Sequence, residues 1–118
     1  MSEYAEQVKI ITFAKDNQGA FPELKYLFHI PNGGSRDIIT ASRLKRCGVR
    51  KGVPDLCLPV KNKYYGSLWV ELKDGKGKKQ TKEQIEYENF LKSQGCQYVV
   101  CYSGEEAIAI IRNYLEAR

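Results

Sequence analysis

Gly52-Val53-Pro54-Asp55-Leu56-Cys57-Leu58-Pro59-Val60, followed eight residues later by Leu68-Trp69-Val70-Glu71-Leu72-Lys73, is the stretch on which the fold turns. Leu56, Leu58 and Val60 alternate with Asp55, Cys57 and Pro59, and Leu68, Val70 and Leu72 alternate with Trp69, Glu71 and Lys73. A period of two is that of strands with one buried face. Between them Lys61-Asn62-Lys63-Tyr64-Tyr65-Gly66 is polar, contains Asn and Gly, and is short enough to close an antiparallel hairpin. If both apolar sets share a face, an odd-numbered residue stands opposite an odd-numbered one. Asp55 then faces either Glu71 or Lys73, and either register gathers all three charged groups.

Two carboxylates and an ammonium at neighbouring strand positions are a costly choice where apolar or complementary cross-strand pairs would stabilise a hairpin. A salt bridge of Lys73 with the carboxylates would contribute only about 0 to 1 kcal/mol at a surface. A divalent cation gives the arrangement a purpose. Asp55 and Glu71 offer the hard oxygen ligands that Mg²⁺ takes, with positions left open for water and a phosphate. Lys73, two residues along the same face from Glu71, would reach that water or a phosphate oxygen.

Outward from the hairpin, the chain reads His29-Ile30-Pro31-Asn32-Gly33-Gly34, then Lys45, then Gly48-Val49-Arg50-Lys51-Gly52-Val53-Pro54-Asp55, then Glu71-Leu72-Lys73 and Gln84. Pro54-Asp55 with Glu71-Leu72-Lys73 resembles the PD-(D/E)XK nuclease signature. The whole ordered string resembles the virus-type replication-repair nuclease (VRR-NUC) family, over nearly the entire chain from Glu6 to Leu115. The resemblance implies a restriction-endonuclease-like fold and a Mg²⁺- or Mn²⁺-dependent DNA endonuclease. Metal would be held by Asp55, Glu71 and the Leu72 carbonyl, with Lys73 orienting water.

Length and composition set the bounds. At 118 residues, one nuclease domain spanning 1–118 is expected. The 42% hydrophobic and 28% charged fractions are those of an ordinary globular chain. No apolar run approaches the ~20 residues of a membrane span and no signal pattern opens the chain, so a cytoplasmic protein without membrane partners is expected. Cys47, Cys57, Cys96 and Cys101 show no C-x-x-C spacing and His29 is the sole histidine, which argues for reduced, mostly buried thiols rather than a zinc site. The net charge of +5 is concentrated: from Arg36 to Lys82 there are 13 Lys or Arg against 4 Asp or Glu. A basic block around two acidic ligands would draw a polyanion to them.

Taken in order, Ser2 to Lys15 reads as a helix capped by Ser2, with Tyr4, Val8 and Ile11 on one row. Glu6 is in register with Ile10 and Phe13, towards the edge of the buried face. A carboxylate turned that way needs a partner. Glu6-Gln7 also matches the family's N-terminal Glu-Gln, which implies Glu6 as a third acidic residue of the site. Leu24 to Ile30 reads as a strand. Asn32-Gly33-Gly34-Ser35 is a turn by composition whose backbone N–H groups could face an anion. The resemblance tilts this turn towards DNA, with Asn32, Gly33 and Arg36 as contacts. Asp37 to Cys47 reads as a helix with Ile38, Ala41, Leu44 and Cys47 inward and Arg36, Arg43 and Lys45 on more exposed rows. Arg46, Arg50 and Lys51 continue the positive run. These are expected to be phosphate contacts rather than base readers.

Asp74 to Gln80 is a basic loop whose Lys76 and Lys78 would also meet phosphates. It is not a nucleotide-binding loop, because five residues after Gly75 comes Gln80 rather than Gly. No nucleotide cofactor is expected. Thr81-Lys82-Glu83-Gln84 is a capping-box sequence. Gln84 also matches the family's glutamine after the E-x-K, so one side chain can serve both roles. Helix 82–94 is expected to bury Tyr87, Phe90 and Leu91, a strand to run from Tyr98 to Tyr102, and Ser103-Gly104-Glu105-Glu106 to open a last helix. The order αβαββαβα is that of an α/β fold, a mixed sheet flanked by helices.

A metal-dependent endonuclease is the leading reading. A non-catalytic DNA-binding module is the rival, but phosphate binding alone gains nothing from carboxylates in the groove. The resemblance to small stand-alone phage and bacterial members further implies a homodimer that acts on branched DNA, as four-way (Holliday) junction resolvases do, inside a bacterial or phage-infected cell.

Overall fold

In the computed structural model, which describes residues 2–31, 37–75, 77 and 79–118, the sheet is built on the hairpin. Strand β2 (Leu56–Leu58) pairs antiparallel with β3 (Leu68–Leu72) in the register Leu56 to Val70, Cys57 to Trp69 and Leu58 to Leu68. One step further that register sets Asp55 opposite Glu71, the first of the two expected pairings. Asn62 shapes the connection: its side-chain oxygen accepts the N–H groups of Tyr64 and Tyr65 at 2.9 and 2.8 Å. Its Nδ2 donates to the Tyr114 carbonyl.

Strand β1 (Phe28–His29) lies antiparallel to β2, and β4 (Gln97–Cys101) lies parallel to β3, giving a four-stranded mixed sheet in the order β1-β2-β3-β4. Helix α1 (Glu3–Asp16), α2 (Ile38–Arg46), α3 (Lys82–Ser93) and α4 (Gly104–Glu116) complete the expected order. Leu56, Leu58, Leu68, Val70 and Leu72 form one core with Ile10 of α1 and Ala107 and Ile111 of α4. The alternation puts Cys57, Trp69 and Glu71 on the opposite face, where α3 lies against β4.

Helix ends follow their local chemistry. Ser2, Asp37, Thr81 and Ser103 each accept a backbone N–H of the first turn they cap. Gly104 can only be glycine where α1 crosses α4, since a Cβ there would lie 2.7 Å from the Glu6 carbonyl oxygen. The four cysteines are free, with Cys57 and Cys101 buried and Cys47 exposed. Among the described residues no helix is long and apolar enough to cross a membrane.

Four expectations are corrected. Residues 24–30 are not a continuous strand: Pro22 opens a 3-10 turn, Pro22–Tyr26, and only Phe28–His29 pair with β2. The buried row of α1 is Glu6, Ile10 and Ala14, whereas Tyr4 points to solvent. Helix α3 buries Leu91 but leaves Phe90 exposed. Helix α2 buries none of its residues, so the inward face expected for Ile38, Ala41 and Leu44 has nothing within the described chain to cover it.

Candidate active site

Asp55 leaves β2 directly after the buried Pro54, and the antiparallel register carries its carboxylate across to β3, where Oδ2 accepts the Leu72 N–H at 2.7 Å. His29 holds the same strand end from the other side. Its Nδ1 lies 2.8 Å from the Asp55 carbonyl oxygen, which also accepts the Ile30 N–H. Glu71 is buried on the facing position.

Gln84 joins the strands to α3. Its Oε1 accepts from both the Lys73 ammonium and the Thr81 N–H at 2.8 Å, and its Nε2 donates to Glu71 Oε2 at 3.0 Å. The Thr81 hydroxyl accepts the Gln84 N–H, which completes the capping box. The two roles weighed for Gln84 are therefore filled together by one amide. Lys73, itself largely buried, stands 3.7 Å from Glu71 Oε2, and its N–H extends the β3–β4 ladder to the Cys101 carbonyl.

The electrostatics follow from burial. Burial and the neighbouring Asp55 charge push the Glu71 carboxyl up to about 8, with Lys73 opposing and Glu3 adding to the rise. Burial also raises Asp55, against the Leu72 N–H and the charges of His29 and Lys73. Two carboxyls that resist ionising together, beside a single ammonium, are a donor set that fits a divalent cation, which would draw both into their charged form. The Leu72 carbonyl lies on the same strand, between Glu71 and Lys73, as the resemblance implies for a third oxygen.

Glu6 is placed elsewhere. Its Oε1 accepts the N–H of Gly104 at the start of α4, at 3.0 Å, and its Oε2 pairs with Lys9 at 3.0 Å. The Gly104 N–H, then Lys9, hold its carboxyl below the usual range. Among the described residues no three His, Cys, Asp or Glu come close enough together to hold a metal ion, so Glu6 does not join Asp55 and Glu71. The α1 acid whose charge bears on Glu71 is Glu3. Replacing Glu6 by Ala should therefore lower the melting temperature at pH 7, because the Gly104 N–H and Lys9 lose their acceptor. The difference should shrink as the pH falls through the lowered Glu6 pKa, where the wild-type carboxylate is itself lost. Thermal denaturation between pH 7 and 3 checks this, and an unchanged melting temperature at pH 7 would contradict it.

Of the expected DNA contacts, Arg43 and Lys45 lie exposed on α2. Lys45, Arg50 and Lys51 line a groove of about 910 Å³ between α2 and α3. Gly52, at φ +88°, ties this run to the site: its Cβ position lies 2.4 Å from the Glu83 carbonyl oxygen, so the chain crosses the first turn of α3 where only glycine fits. Asn32, Gly33, Arg36, Lys76 and Lys78 lie outside the described residues. Three participants escaped the sequence reading. Thr81 was legible only as a cap, His29 only as the first residue of the His29-Ile30-Pro31 run, and Glu3 is one turn from the glutamate chosen instead.

Comparison with known proteins gives the same picture. The profile of the VRR-NUC domain matches residues 2–105. A solved structure described as a VRR_NUC domain protein superposes with a TM-score of 0.83 at 26% identity, over 99% of this chain and 90% of that one. No protein of curated function matches. With its mixed sheet, its flanking helices and this match over most of its length, the chain belongs to the VRR-NUC domain family of nucleases.

Proposed function

We propose that this nuclease domain, working as one unit over residues 1–118, is a Mg²⁺- or Mn²⁺-dependent endodeoxyribonuclease. The observation that carries the reading is the joined set of Asp55, Glu71, Lys73 and Gln84, in which two buried carboxyls meet on adjacent strands beside a fixed ammonium. Asp55 and Glu71, with the Leu72 carbonyl, would hold the ion. When bound, it supplies a lowered pKa for water and stabilises charge on the phosphate. Gln84 sets the direction of the Lys73 ammonium, so that the remaining N–H groups of Lys73 can orient the attacking water or a phosphate oxygen. The Asp55 carboxylate keeps its geometry through the Leu72 N–H. Arg43, Lys45, Arg50 and Lys51, with Asn32, Gly33, Arg36, Lys76 and Lys78, bind the DNA backbone.

The family resemblance supports a homodimer that cuts branched DNA such as four-way junctions, in the cytoplasm of a bacterial or phage-infected cell. A binding module without chemistry would need none of the Glu71–Gln84–Lys73 chain. Nicking of supercoiled plasmid separates the two: the nuclease converts it to open circle with Mg²⁺ and stops with EDTA. Binding without nicking in either condition would support the module.

The raised Glu71 carboxyl sets the pH dependence. Below pH 8 the metal must displace a proton, so Mn²⁺ affinity should rise by up to about tenfold per pH unit from pH 6 towards 8, with proton release. In metal-free protein the sign is opposite. A carboxyl raised from 4.5 to about 8 contributes stability that is fully present below pH 4.5 and is lost as the pH rises through 8. Titration calorimetry in two buffers of different ionisation enthalpy measures the released proton. Affinity independent of pH between 6 and 8 would place the ion on other ligands.

A further inference from the structure

Helix α2 is nine residues long and buries none of them, and an isolated helix of that length is marginal in water. Its Ile38 is 87% exposed, and across the groove Phe90 of α3 is 59% exposed. Ala41, Leu44, Val49 and Tyr87 make the lining between them largely apolar. The charges on this groove are segregated. Lys45, Arg50 and Lys51 stand on the α2 side, and Glu83 and Glu86 on the α3 side.

The geometry points to this α2–α3 groove as the surface on which a second copy of the chain docks, with the basic wall of each protomer against the acidic wall of the other. A two-fold axis makes the same patch meet itself, so a surface with one basic and one acidic edge around an apolar centre is complementary to its own copy. DNA is the poorer occupant. A polyanion complements only the basic wall and is repelled by Glu83 and Glu86, and its backbone gains nothing from Ile38 or Phe90. The inference rests on the homodimer proposed above and deepens it, because Gln84 lies between the two acidic residues on the first turn of α3. Docking there clamps the helix end that carries the Gln84–Lys73 hydrogen bond, which couples assembly to the geometry of the active site.

Sedimentation equilibrium at micromolar concentration, on wild type, Ile38→Asp and Phe90→Asp, tests the surface. Both side chains are exposed in the single chain, so neither change empties the core, and circular dichroism verifies the fold. The wild type should be a dimer, and each variant should raise the dimer dissociation constant by about 30-fold or more, as loss of a central interface residue does. Lys45→Glu should weaken the dimer as well. Variants that dimerise like the wild type would overturn the inference while leaving the homodimer standing. Dimers that persist but lose DNA in a gel shift would assign the groove to DNA instead. A monomeric wild type would remove homodimer and docking surface together, without touching the nuclease reading, which the plasmid assay tests separately.

Discussion

Lys73→Ala should cut the single-turnover rate of DNA cleavage by roughly 10²- to 10⁴-fold, the usual worth of a positioned proton-transfer or orienting group, while Mn²⁺ still binds. The ammonium is held by Gln84 at 2.8 Å and stands 3.7 Å from Glu71, so its removal leaves every proposed oxygen ligand in place. It also removes the one nearby cation that offsets the mutual repulsion of Asp55 and Glu71. Without it the metal-free site holds its proton more tightly. Mn²⁺ affinity at pH 7 should therefore fall slightly and recover at higher pH, while the loss of rate should not recover. Near-normal cleavage would put the water-orienting group elsewhere, and complete loss of Mn²⁺ binding would make Lys73 a support for the carboxylates.

Asp55→Asn should have the larger effect, abolishing cleavage and Mn²⁺ binding together. The amide oxygen can still accept the Leu72 N–H, so the strand pairing survives. What is lost is one of the two charges that fit a divalent ion. Stability should move the other way. In the wild type both carboxyls are raised, which means that ionising them strains the folded state. Replacing one by a neutral group relieves that strain, so the metal-free variant should melt higher than wild type at pH 8. A site whose residues destabilise the fold until ligand arrives is a familiar cost of function. A variant that melts lower at pH 8 and still binds Mn²⁺ would mean that Asp55 is a structural residue.

The hairpin was legible because its two apolar sets are in phase. Parity alone left Asp55 facing Glu71 or Lys73, and the pairing of Leu56 with Val70 selects the former. The capping sequences at Thr81 and Ser103 marked the starts of α3 and α4 because their side chains accept local N–H groups, and no distant contact can change that. What failed depended on tertiary partners. Glu3 and Glu6 sit one turn apart on the same flank of α1, and only the position of the α4 N-terminus decides which of them it captures. Periodicity marked the stripe of Ile38, Ala41 and Leu44 on α2 but carries no information on whether the same chain covers it. The apolar run after Pro22 resembled a strand because hydrophobicity alone does not separate a 3-10 turn from a short edge strand.

The central claim is that Asp55 and Glu71 jointly hold a divalent ion that makes this domain a nuclease. Calorimetric titration of Mn²⁺ into the wild type and Glu71→Gln at pH 8 tests it most directly. A saturable site in the wild type that disappears in Glu71→Gln is the predicted result. Equal binding by both proteins would contradict it.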